Sequence, residues 1–172
     1  MKFVGSGPLE RVSFEDRNCS LARALDVLGD WWNVLIIREA LWGTHKFDDF
    51  QRYLGMSKGI LSKRLKLLQE HGILEKRSQG NSVDYFLTAK GREVQTVIIS
   101  IMQWGDRWYP QAEGSPVVLV NRQTGVPLAP LGLQDSEGAP LELTDIGLCA
   151  GPGANEETRE RIRQIQRRQA PS

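Results

Sequence analysis

Two serines and three lysines, Ser57, Lys58, Ser62, Lys63 and Lys66, recur within a stretch that reads as a helix from Ser57 to His71. Projected at about 100° per residue, Gly59, Ser62, Lys63 and Lys66 share one face with Lys58 at its margin, while Leu61, Leu65 and Leu68 fall on the opposite one. Lysine donates to phosphate or guanine, serine pairs with several base edges, and glycine lets a backbone approach closely. The chemistry on offer is recognition of a polyanion and of base edges. Lys76 and Arg77, just before a Gln79-Gly80-Asn81 turn that places Asn81 at its tip, add groups suited to phosphates or a minor groove. A basic outer face is common on any surface helix, so the surrounding elements must decide what this one means.

Those elements follow from periodicity. Leu21, Leu25 and Leu28 make one stripe on a short helix that Gly29 ends, and Asp30 is placed to cap a second, Trp31 to Trp42, apolar on nearly every side. A third carries Phe47, Phe50 and Leu54, with Gly55 where a left-handed C-cap belongs. Ser57 caps the basic helix. Ile73 to Arg77 and Val83 to Leu87 read as a hairpin. Thr88 then starts a long helix to about Tyr109, whose Val94, Val97, Ile98, Ile101, Met102, Trp104 and Trp108 give more apolar surface than a small domain covers alone. Beyond a linker at 110–116, Val117 to Val120 and Leu141 to Leu148 read as strands of a small β appendage. The reading is a mainly α (α+β) chain: an arm at 1–18, a winged helix-turn-helix and dimerisation domain at 19–110, a β-rich extension at 116–150, and a polar tail at 151–172, helical or disordered.

Composition limits the alternatives. The 172 residues are 40% hydrophobic and 25% charged, enough for one core of about 100 residues plus an appendage. A net charge of +1 confines any nucleic-acid surface to a local patch. Two distant cysteines, Cys19 and Cys149, argue against a disulfide-stapled secreted domain and offer no metal-ligand spacing. No apolar run is long enough to span a bilayer, so the chain is expected in the cytoplasm, away from membranes. The two histidines, His45 and His71, stand without a catalytic motif, His45 read as solvent-exposed and His71 as the end of the basic helix. No enzyme activity and no cofactor are expected.

The order of helices, hairpin and long apolar helix resembles the HxlR-type winged helix-turn-helix transcriptional regulators, relatives of the MarR-like regulators. The likeness is carried by Cys19, by Ala24 to Gly29, Trp32, Ile37-Arg38-Glu39 and Phe47-Asp48-Asp49-Phe50, and by Leu61 to Leu68, Gly72-Ile73-Leu74 and Tyr85 to Arg92. It implies a homodimer in which Leu21 and Leu25 of the first helix pair across a twofold axis with Ile98, Ile101, Met102, Trp104 and Trp108 of the long one. Such a dimer reads double-stranded DNA at palindromic half-sites about 34–36 Å apart, or multiples of that. Two departures stand out: Gln79-Gly80-Asn81-Ser82 replaces a longer Pro-Pro-Arg wing, and Gly59 stands where a long polar residue is usual.

The resemblance also implies that Cys19 could sense oxidants or electrophiles. The helix start beside it attracts negative charge, yet a small apolar residue in the dimer interface is an equal reading. Cys149 reads as a bystander. A small ligand between the second and long helices, lined by Trp32, Trp42, Trp104 and Trp108, is a further effector reading. The extension resembles knuckle-like ribbons whose cysteine pairs can hold zinc, but Thr124 or its neighbour, Gln134 and Glu137 occupy those places, which implies no metal. The rival to DNA readout is a winged helix serving as a protein-protein module.

Overall fold

A computed structural model describes residues 13–80 and 82–169. Four helices come first: α1 (Ser20–Leu28), α2 (Trp31–Leu41), α3 (Phe47–Leu54) and α4 (Lys58–Glu70). An antiparallel hairpin, β1 (Leu74–Gln79) with β2 (Ser82–Leu87), follows, then α5 (Ala89–Glu93) and α6 (Gln95–Trp108). The remainder holds a two-residue strand pair, β3 (Leu133–Gln134) and β4 (Pro140–Leu141), a 3-10 turn at Leu143–Asp145, and α7 (Glu156–Gln169). Among the described residues no helix is long and apolar enough to cross a membrane.

The expected caps form. Asp30 Oδ1 accepts from Trp32 N at 2.9 Å, Ser57 Oγ from Ile60 N at 3.4 Å and Thr88 Oγ1 from Gly91 N at 3.1 Å, satisfying donors that a helix start leaves open. Gly55 ends α3 at φ +64, the left-handed region that favours glycine. The core gathers around α2. Ile36 and Ile37 pack with Phe50 of α3, Leu61, Leu65 and Leu68 of α4, Ile73, Leu74 and Leu87 at the wing's base, and Ile98 of α6. Each such burial contributes roughly 1.5–3 kcal/mol.

Several expectations change. The helix starting at Thr88 is interrupted at Val94, whose N–H turns back to Gly91 O at 3.3 Å, an i→i−3 bond that tightens the chain before α6 resumes. Ile98 is only 4% exposed and Met102 packs against the core. Both face α2, so neither belongs to the outer face expected to dimerise. The strands of the wing run longer than expected, to Gln79 and from Ser82, while Val117 to Val120 supplies only a single bridge, Val120 to Pro127. Past Leu141 the second expected strand becomes the 3-10 turn, because Glu142 and Asp145 close a reciprocal capping box around it. His45 is half-buried rather than solvated, its ring stacked on Phe86 at 4.3 Å. The end of the expected arm, 13–18, lies on α1, where Phe14 N donates to Asp26 Oδ2 at 2.8 Å; residues 1–12 lie outside the described residues.

In place of thiols, side-chain oxygens close the two knuckles of the extension. Asn121 Oδ1 accepts from Gln123 N at 2.9 Å and Thr124 N at 3.2 Å, and Asp135 Oδ1 from Glu137 N and Ala139 N, each at 2.9 Å. The Gln103 amide ties this ribbon to α6, donating to Ala129 O at 3.0 Å and accepting from Leu131 N at 2.7 Å. The tail resolves to a helix, α7, on which Arg163 pairs with Glu156 and Glu160 at 2.7 and 2.9 Å. Hydrogen bonds from Arg163 and Gln164 hold the Glu160 carboxyl below its ordinary range. Its contribution is therefore present above the ordinary carboxylate pKa and lost as pH falls through the lowered one.

Gly91 marks the tightest approach in the domain: a Cβ there would stand 2.2 Å from Ile73 O. Gly91→Ala is expected to destabilise the fold by about 1–3 kcal/mol in urea unfolding. Gly59→Ala, at a position where a Cβ meets nothing within 4 Å, should be neutral or up to about 1 kcal/mol stabilising. Equal stabilities for the two variants would contradict this packing.

Candidate nucleic-acid interface

Burial orients α4. With Leu61, Leu65 and Leu68 turned into the core, Gly59, Ser62, Lys63 and Lys66 are exposed on the opposite face, with Lys58 exposed at its margin and Ser57 exposed at the helix start. Arg64 lies between the two sides and bonds Asp30 Oδ2 at 2.6 Å, while the other oxygen of that carboxylate caps α2. One aspartate thereby fixes the start of α2 and the rotation of α4 about its own axis. Its neighbour Asn33, fully buried, donates to Val27 O at 2.6 Å and joins α2 to α1.

The face departs from its expected form in three places. Glu70 reaches Lys66 at 3.6 Å, so the C-terminal end of the face carries a carboxylate one turn on from the lysine. That spacing, i to i+4, was present in the sequence and was the signal to read. Ile60 is 42% exposed on α4, outside the leucine stripe; apolar groups of this kind contact the thymine methyl in a major groove. On α3, Arg52 stacks on the exposed Tyr53 ring at 4.8 Å and bonds its hydroxyl at 3.0 Å and Asp49 at 2.7 Å. The Tyr53 hydroxyl first, then the Asp49 charge, raises the guanidinium pKa.

The wing is short and partly self-satisfied. Gly80 takes φ +61 at its tip, the conformation that a two-residue hairpin turn demands. Arg77, expected to reach outward, instead pairs with Glu75 and lies over the Phe86 ring at 4.6 Å. Lys76 is exposed, and Asn81 lies outside the described residues. Burial raises the pKa of the Tyr85 phenol, paired with Lys76 across the hairpin. The base of the wing is stitched to α5 by Thr88, whose hydroxyl donates to Gly72 O at 2.6 Å, and by Lys90 Nζ, which donates to His71 O at 2.8 Å.

This arrangement of α3, α4, hairpin and flanking helices is a winged helix-turn-helix, and the profile described as HxlR-like helix-turn-helix matches residues 27–113. The chain belongs to the HxlR-like family. An uncharacterized HTH-type transcriptional regulator of Mycobacterium tuberculosis is 34% identical over 137 residues, covering 78% of this chain and 87% of that protein. The crystal structure of PA1607, described as a candidate transcription factor, superposes with a TM-score of 0.77 at 37% identity, over 81% of this chain and 100% of that one. The redox regulator HypR in its oxidised form aligns over 52% of this chain and 96% of its own, with a TM-score of 0.50 and 25% identity.

Outside this face of the HxlR-like domain, α1 and α6 leave apolar side chains open. Leu21, Leu25, Ile101, Trp104 and Trp108 are between 43% and 68% exposed, and Val97 joins them at 47%. The expected tryptophan-lined site does not gather. Trp32 packs on the core, Trp42 lies exposed beneath Arg38, and Trp104 and Trp108 line a cavity of about 190 Å³ with Gln103 and Pro130 of the ribbon. Among the described residues no cluster of three or more His, Cys, Asp and Glu side chains could hold a metal ion.

Arg64→Ala removes the tie between α4 and α2 and leaves the Asp30 cap in place. The expected result is a loss of roughly 1 kcal/mol of stability, read by thermal unfolding, with unchanged helical circular dichroism. An unchanged melting temperature would contradict a positioning role.

Proposed function

We propose that this protein is a DNA-binding transcriptional regulator, a homodimer that sets α4 into the major groove and the hairpin wing against flanking phosphates. The observation that carries the reading is the exposed face of Lys58, Ser62 and Lys63 with Ile60, held rigid by the buried leucines and Arg64. Direct readout would come from Ser62, Lys63 and Ile60, and phosphate contacts from Ser57, Lys58, Lys66 and Lys76. Arg77 would leave Glu75 to reach DNA, and open space beside Gly59 leaves room for a groove wall. The exposed apolar side chains of Leu21 and Leu25 on α1 and of Ile101, Trp104 and Trp108 on α6 support twofold pairing, which would place two α4 helices on successive half-sites of a palindrome. Cys19, exposed at the start of α1, supports release by thiol oxidation, as does the likeness to HypR.

Binding to duplex DNA should fall linearly with salt on a log-log plot, and Lys63→Ala should lower the slope by about one. The check is a fluorescence-anisotropy titration on duplexes selected from a random pool. A flat salt response would favour docking to a protein partner instead.

A further inference from the structure

The chain's two cysteines are 130 positions apart, yet both line one cavity of about 500 Å³. Both are free and exposed, and nothing in the reading of DNA requires them to meet. Cys149, expected to be a bystander, shares this cavity with Cys19.

α7 acts as the splint that brings them together. At its N-terminal end Asn18, the residue before Cys19, donates to Gly153 O at 2.9 Å and accepts from Asn155 N at 3.1 Å and Thr158 Oγ1 at 2.8 Å. Further along, Gln166 Nε2 donates at 2.6 Å to the carbonyl of Leu148, the residue before Cys149. Thr158 and Gln166 are eight residues apart, about 12 Å along a helix axis, so the two cysteine-bearing segments are pinned to one short rod with the cavity between them. Gly147, Gly151 and Gly153 flank Cys149, and a Cβ at any of them would meet nothing within 4 Å. A disulfide needs about 4.4–6.8 Å between Cα atoms, and glycines on both sides of Cys149 give its backbone the conformational freedom to reach that spacing. Arg23 lines the same cavity and brings a fixed positive charge to it.

We propose that Cys19 and Cys149 form a dithiol site for two-electron oxidants of the hydroperoxide class, closing to a disulfide within one chain. The Cys19 thiolate attacks the terminal peroxide oxygen; an S–O bond forms, the O–O bond breaks, and the departing alkoxide takes up a proton to leave as the alcohol. The Cys149 thiolate then attacks the Cys19 sulfur, forming the S–S bond as the S–O bond breaks, and the hydroxide leaves as water after protonation. Two thiols are oxidised and one hydroperoxide is reduced to alcohol and water. Pinning by α7 raises the local concentration of one thiol at the other, which favours closure within the chain over a bond between chains. The closed bond draws the C-terminal extension over the start of α1, beside Leu21 and Leu25. That regulatory consequence rests on the regulator reading above; the thiol chemistry does not.

The test treats the full chain with one equivalent of cumene hydroperoxide and follows free thiols, non-reducing electrophoresis, peptide mass spectrometry and DNA affinity together. Expected are loss of both thiols, migration as a monomer, and a joined peptide pair containing Cys19 and Cys149 that a reductant separates. Cys149→Ser should leave a sulfenic acid at Cys19 that dimedone traps. Asn18→Ala should still form that sulfenic acid but slow disulfide closure by roughly tenfold. A Cys149 that stays open to alkylation after Cys19 is oxidised would overturn the proposal, and so would a disulfide joining Cys19 residues of two chains. A disulfide that forms without changing DNA affinity removes the regulatory consequence alone. Failure of both reduced and oxidised protein to bind any duplex overturns the regulator reading and leaves the dithiol site standing.

Discussion

Everything in the reading domain depends on burying Leu61, Leu65 and Leu68 of α4 against Ile36 and Ile37 of α2. A helix with three leucines on one side has one way to face once those leucines are removed from water, and each contributes roughly 1.5–3 kcal/mol to holding it there. The lysines and serines of the opposite side are then exposed by geometry rather than by any interaction of their own. The Asp30–Arg64 pair acts on top of this. Partly buried, it adds roughly 1 kcal/mol and removes the remaining freedom of α4 to roll.

The same core sets the wing and the outer helices. Ile73, Leu74 and Leu87 anchor the hairpin at its base, and Gly91 lets α5 pack against Ile73 O without a side chain between them. The break at Val94 follows directly and turns Ile98 and Met102 inward, which leaves Ile101, Trp104 and Trp108 as the apolar outer strip. Among the described residues beyond α6 there is no comparable core. The ribbon is held by single polar ties, Gln103 to its backbone and Asn121 and Asp135 within its turns. α7 is held to the domain by Asn18. A region held this way is easier to move than one held by buried leucines.

Periodic burial was legible in the sequence, and so were the capping side chains. The leucine stripe of α4, the all-round apolar α2 and the caps at Asp30, Ser57 and Thr88 stand where their spacing put them, because each depends on residues within one or two turns. What escaped were contacts between distant residues. Ile98 and Ile101 carry similar side chains three positions apart, and only packing against α2 makes one core and the other surface. Arg77 was read as free because Phe86, which it covers, is its neighbour only through strand register. The Val117 to Val120 run has strand-like residues but only a single bridge, a case where β-propensity finds no partner strand. That Cys19 and Cys149 line one cavity depends on the path of α7, which no local pattern encodes.

DNA recognition rests on entry of the exposed face of α4 into a major groove. Methylation interference on duplexes selected from a random pool probes this directly, since guanine N7 lies in the major groove and adenine N3 in the minor. N7 methylation should block binding at two clusters about one helical turn apart, or a multiple of it, and Lys63→Ala should lose interference within those clusters. Interference confined to adenine N3, or N7 clusters that persist unchanged in Lys63→Ala, would contradict it.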